Sequence, residues 1–311
     1  MKNHINSNMA HLPPIAQAII QTVAYVDIFD YPLTLPEIHR YLIGHTTTID
    51  ELHDIIHHTL IPHQLQCQDH FYTLPQRQSI VATRQQRTTN AAQLWPVAHQ
   101  YARQIAQLPF IHMIAVTGSL AVDNPDPHAD IDYFIITTSG RLWLARALTI
   151  LVVRLAARHG HHLCPNYFLA HDALALPHHD LYIAREIAQM IPLYGLETYQ
   201  LFRHQNLWVN NYLPNATTPP PLNNNIPGHQ PLPPRPPLTR LLTPLLASPL
   251  ASPLETWEMN RKIHKFTRHN QASETSFSPQ WCKGHFHDHA QRILNQYDEQ
   301  LQQLQPDTHE Q

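Results

Sequence analysis

The sequence predicts an α/β (α+β) protein: a core built on a mixed sheet, an α-rich module before it and a helical extension after it. Three observations lead there. IHMIAVT (111–117) and DIDYFIIT (130–137) are apolar, β-branched runs of strand length that bracket a Gly-Ser turn. Ile15, Ile19, Ile20, Val23 and Val26 recur near helical spacing, as do Leu52, Ile55, Ile56 and Leu60, so the first 75 residues read as mainly helical. Thirteen of the 28 prolines fall between Pro214 and Pro253, and that break in composition separates the core from the C-terminal part.

The first helix is expected to stop at the DIFDYP turn, because Pro32 disfavours helical backbone at the residue before it. Thr34 then suits an N-cap, with Pro36 and Glu37 in the first turn of a short helix. A third helix follows Thr48, and residues 65–74 alternate as a small hairpin would. A helix is expected from about Asn90 to Leu108, with Arg77, Arg84 and Arg87 in a connecting segment before it. In the core, a helix from Arg141 to about Arg158 should end at Gly160, and LCPNYFLA (163–170) reads as a third strand. Helices over roughly 178–193 and 197–212 complete that unit. The Pro-rich stretch is incompatible with regular helix or inner strand, and 254–269 and 280–304 read as closing helices. The resulting division is 1–90, 91–213, a linker at 214–253, and 254–311.

Bulk chemistry excludes several classes. A formal net charge of -3 gives no global basic field, so nothing in the balance calls for nucleic acid. Cys67, Cys164 and Cys282 lie far apart with no CxxC pair, which argues against a disulfide framework and suits a cytoplasmic location. The polar start, Met1 to Pro13, has no apolar run of the signal-peptide kind. Leu142–Ala157 is apolar but interrupted by Arg146 and Arg154, so a buried helix is expected rather than a membrane span. The 26 histidines are scattered, and their local clusters, such as Cys282, His285 and His289, are what chance gives at that frequency.

Three helices and a hairpin in this order resemble a winged helix-turn-helix. DNA binding is not the expected use. Up to residue 80 only Lys2, Arg40 and Arg77 are basic, against seven acidic residues, and IDELHDIIHHTL offers no lysine or arginine to phosphates or guanine edges. A packing or dimerisation module, in a possible homodimer, is the expected role.

The chemistry concentrates in VTGSLAVDNPDPHADIDYFIIT (116–137). Asp130 and Asp132 stand at i and i+2, which on a strand turns both carboxylates to one face. Two convergent carboxylates suit a hard cation such as Mg²⁺. Gly118 permits a tight turn, and Ser119 offers a hydroxyl and free N–H groups to phosphate oxygens. Together these parts resemble the signature of the DNA polymerase β-like nucleotidyltransferase superfamily, over about residues 110–212. The resemblance implies transfer of a nucleoside monophosphate from an NTP to an acceptor, here unknown. It also implies that Gly118 and Ser119 hold phosphates, and that Asp130 and Asp132 bind Mg²⁺.

One departure stands out. Catalytic members of that superfamily usually supply a third carboxylate from a neighbouring strand, and the candidate position here holds Asn166. Asp172, just past that strand, is the substitute the sequence offers, and Arg141 is the cation expected to face triphosphate. The expected function is therefore Mg²⁺-dependent nucleotidyl transfer. The alternatives are a catalytically silent nucleotide-binding sensor or scaffold and, less favoured, a transcriptional regulator using the winged helix.

Overall fold

The computed structural model describes residues 11–220, 237–269, 276–283 and 286–304. The N-terminal module consists of α1 (Pro14–Asp27), α2 (Leu35–Tyr41), α3 (Ile49–Ile55) running into a π-turn (Ile56–Leu60), and a hairpin of β1 (Gln66–Gln68) and β2 (Phe71–Thr73). Its helix starts follow the sequence. Glu37 Oε2 accepts from the Thr34 backbone N–H at 2.8 Å, and Thr48 Oγ1 accepts from Glu51 N–H at 3.2 Å. Leu33, between α1 and α2, pairs with Tyr72 as an isolated antiparallel bridge.

The next helix departs from expectation. α4 (Ile80–Ala106) is a single 27-residue helix, so the boundary at residue 90 falls inside it, and the supposed connecting segment is helical. Two of its arginines explain the early start. Arg84 donates to Glu37 Oε1 at 2.9 Å, and Arg87 donates to Phe29 O at 2.9 Å and pairs with Asp126 at 2.8 Å. The first turns of α4 are thus stitched to the module, and the remainder packs on the core.

The core follows as β3 (Ile111–Val116), a single turn α5 (Gly118–Ala121), β4 (Ile131–Thr137), α6 (Leu142–Arg158), β5 (Leu163–Ala170), α7 (Leu181–Gln189), β6 (Ile191–Tyr194), α8 (Leu196–Gln205) and α9 (Val209–Tyr212). After the Pro-rich segment come α10 (Pro237–Ala247), a 3-10 turn (Pro249–Ala251), α11 (Ser252–His269), β7 (Ser276–Phe277), β8 (Trp281–Lys283) and α12 (Phe286–Leu304). The main sheet is mixed, in the order β6-β3-β4-β5-β8-β7; β4 and β5 are parallel and the other neighbours antiparallel.

Three elements correct the sequence expectation. Residues 191–194 form an edge strand instead of the end of a helix. Met190 is already extended at ψ 132°, and Pro192 is tolerated at a sheet edge but not inside a helix. Trp281–Lys283 likewise forms a strand on β5, where helix was expected from Gln280. Pro237–Ala247 is helical although it lies in the Pro-rich segment, with Pro244 inside it. There the apolar periodicity of LTRLLTPLL outweighs one lost hydrogen bond. The expected polyproline-like extension over 221–236 lies outside the described residues.

Strand alternation divides the core cleanly. Ile131, Tyr133 and Ile135 of β4 join a cluster with α4, α6 and α11. Phe134 and Ile136 face the other way, into a cluster that continues through α7 and α8 into the N-terminal module and α12. Among the described residues, no helix is long and apolar enough to cross a membrane.

Candidate active site

The face of β4 that carries Phe134 and Ile136 also carries Asp132. Its carboxylate closes over the turn that follows β3. Gly118 adopts φ +65°, and a Cβ there would lie 2.5 Å from Asp132 Oδ2. The left-handed backbone and the lack of space both demand glycine, so Gly118 and Asp132 are fitted to one another. The Thr117 N–H donating to Asp132 O at 3.1 Å fixes the register.

These residues line a cavity of about 520 Å³ enclosed by three parts of the chain. The N-terminal module contributes Tyr25, Phe29 and Tyr31; the core contributes Gly118, Ser119, Asn124, Asp132, Asn166, Arg185 and Glu186; α12 contributes His289, Ile293 and Gln296. Asn166 reaches it through a bulge, because the β4–β5 register slips between Tyr133 and Phe134 and leaves Asn166 as the extra residue. Asp172 lies past the end of β5, and that end is already roughly 20 Å along the strand from the residue paired with Asp132. It is exposed and cannot complete this group.

Two expected site residues sit elsewhere. Asp130 is exposed and lines a separate depression with His161 and His162. β4 begins only at Ile131, whose N–H donates to His162 O at 2.9 Å, so strand alternation does not govern Asp130. Its charge is nonetheless felt at Asp132. Arg141 does not face the cavity. Its guanidinium donates to Leu246 O at 2.9 Å, Ala247 O at 3.1 Å and Ser248 O at 2.9 Å, which places a cation on the C-terminal end of α10.

Sequence reasoning gave Glu186 no place in the site. It reaches the cavity from α7, accepts from the Gly118 backbone N–H, and accepts from Gln189 Nε2 at 2.6 Å. The available signal was the pair Arg185–Glu186 inside an otherwise apolar helix, LYIAREIAQ, nearly all of which is buried. Burial, the charge of Asp132 and the opposing effects of Gly118 N–H and Arg185 leave the Glu186 carboxyl at about 7. Burial also pushes Asp132 up to about 7, against a hydrogen bond from the Cys164 thiol and with help from Asp130. Burial, with the charge of Asp132 beside it, pushes that thiol up to about 12.

Asp132, Glu186, the Asn166 amide and the Ser119 hydroxyl offer hard oxygens, the donor type that Mg²⁺ takes. The Asn124 Oδ1 beside them is buried without a hydrogen-bond partner among the described residues. Among those residues no group of three His, Cys, Asp or Glu side chains is arranged to hold a metal ion. A smaller apolar cavity, about 70 Å³, adjoins this one through Tyr182 and Glu186 and is walled by Phe134, Tyr167 and Trp281.

No family model, curated protein or solved structure was found to match this chain.

Proposed function

We propose that the chain is a nucleotidyltransferase that moves a nucleoside monophosphate from an NTP to an acceptor hydroxyl with Mg²⁺. The observation that carries this reading is the fit of Asp132 against Gly118, which makes the Gly-Ser turn and the second Asp of the DxD one site. The sheet supports it, with β3 antiparallel to β4 and β4 parallel to β5 around that turn. The bridge from Leu33 to Tyr72 supports a winged-helix-like reading of the N-terminal module.

When bound, Mg²⁺ would supply charge neutralisation on the triphosphate, held by Asp132 with Glu186 or Asn166. Ser119 would hold a phosphate oxygen through its hydroxyl. Glu186, with a carboxyl near neutrality, would take the acceptor's proton on a carboxylate oxygen. The acceptor oxygen then bonds to the α-phosphorus, the α–β bridging bond breaks, and pyrophosphate leaves. Asn166 cannot fill the base role, because an amide oxygen carries no charge and takes up no proton at neutral pH.

The test is Mg²⁺-dependent release of pyrophosphate from each of the four NTPs with a panel of hydroxyl acceptors. Release lost in Asp132→Asn supports the reading. Nucleotide binding that never leads to release supports the silent sensor instead.

A further inference from the structure

One buried arginine among the described residues, Arg84, faces a carboxylate. Arg84 donates to Glu37 at 2.9 Å, with its guanidinium carbon 3.9 Å from the centroid of the Tyr31 ring. Arg185 is equally buried, at 5% exposure, but differently served. Its guanidinium carbon lies 3.4 Å from the centroid of the Tyr41 ring, and its Nε donates to Gln189 Oε1 at 3.3 Å. Among the described residues no carboxylate oxygen comes within 4.0 Å of it. Its two terminal nitrogens have no acceptor there and are not sealed in protein, and the side chain lines the large cavity.

Such a group is poorly placed for stability alone. A guanidinium stays charged at any physiological pH, and removing it from water with no ion pair, only the longer-range charge of Glu186, is unfavourable. Yet it is held with care. Tyr41 fixes its plane, and Gln189 is oriented in turn by Glu186, which accepts from the Gln189 amide at 2.6 Å. The free edge of a planar fork of donors matches the paired oxygens of a phosphate.

We infer that Arg185 anchors an anion subsite in this cavity that takes a phosphoryl group, from either the triphosphate of a nucleotide or a phosphate on the acceptor. The assignment rests on the transferase reading for its place in a reaction, but the binding itself does not. It gives α7 two adjacent tasks: Glu186 holds the Gly118 turn, and Arg185 holds the anion.

The experiment is calorimetric titration of the full chain with sodium tripolyphosphate in the presence of Mg²⁺. Saturable binding is expected, weakened about 10- to 100-fold in Arg185→Met, since a charge-assisted bond is lost. Arg185→Lys keeps charge and stem but not the fork, so an intermediate loss is expected. Tyr41→Leu keeps the charge and removes the stack, and should cost only a few-fold. Parent-like binding by a folded Arg185→Met protein overturns the inference. So does an equal loss in Tyr41→Leu, which would make the arginine a packing group. Should Arg185→Met fail to fold, unchanged affinity in Arg185→Lys overturns it instead. Competition by NTPs assigns the subsite to the nucleotide, and simultaneous binding assigns it to a phosphorylated acceptor. Arg185-dependent binding without pyrophosphate release keeps the subsite and removes the transferase reading. Turnover indifferent to Arg185→Met does the reverse.

Discussion

The N-terminal module presents different chemistry to solvent and to the core. Its outward helix, α3 with the π-turn, exposes Asp50, Glu51, His53, Asp54, His57 and His58. Its inward edge, the end of α1 and the turn after it, lines the cavity with Tyr25, Val26, Ile28, Phe29 and Tyr31. The module's arginines follow the same division. Arg77 is held by Asp27 and Asp30, Arg84 by Glu37, and Arg87 by Asp126, so little cationic charge remains for an outside partner. A helical module of this kind can thus wall a cavity, with these arginines held by neighbouring carboxylates.

The largest effect is expected at the cavity floor. Asp132→Asn should abolish Mg²⁺-dependent nucleotide binding, by about 100-fold or more, and calorimetry with and without Mg²⁺ reads it. Because the native carboxyl titrates near 7 and the unfolded one near 3.8, the native state binds more protons between those values. Stability therefore falls as pH rises through that window, and the variant should be spared this loss. At pH 8 without Mg²⁺ its Tm should exceed the parent's by several degrees, with the difference gone below about pH 4. A variant that binds Mg²⁺–NTP like the parent would place the site elsewhere.

Glu186→Gln comes next. Any transferase rate in the parent should rise with pH through about 7 and then level off, as the carboxyl loses its proton. The variant should be slower by roughly 10²-fold or more and lack that rising limb. A rise of the same shape in both would transfer the base role to another group.

Phe29→Ala against Glu51→Lys sharpens the contrast between the two faces. The inward change should weaken nucleotide binding several-fold, and the outward one should leave it unchanged. In the same spirit, the full chain should give no salt-sensitive band shift with random duplex DNA at physiological salt. Micromolar binding that weakens steeply with salt would turn the module outward again.

Asn166→Asp is the smallest expected effect. A third negative charge beside Asp132 should tighten Mg²⁺ binding a few-fold and, without the ion, lower stability by about 1 kcal/mol through repulsion. Unchanged Mg²⁺ affinity would mean that the bulged residue does not share the ion.

Most of this could be read from local sequence. The strands around Gly118 and Asp132 and the threonine starts at 34 and 48 follow from patterns within about twenty residues, and Asn166 was singled out only by the superfamily resemblance. What was illegible came from distant pairings. Ile191–Tyr194 is a strand because β3 offers it an edge, and Trp281–Lys283 because β5 does. Asp130 and Arg141 lie away from the cavity for a related reason. Spacing places a residue along an element, while the element's first hydrogen bond and its packing partner decide where the side chain goes.

The wall supplied by α12 has a consequence for folding order. Gln300 Nε2 donates to Asp27 Oδ2 at 2.9 Å across a separation of 273 residues, and Tyr297 meets the Tyr25 ring edge-on at 5.4 Å. Closing so long a loop costs entropy before it returns contact, so this seam is expected to form late. Until then the apolar inner edge of α1 stands open to water, where a chaperone or a second unfinished chain could find it.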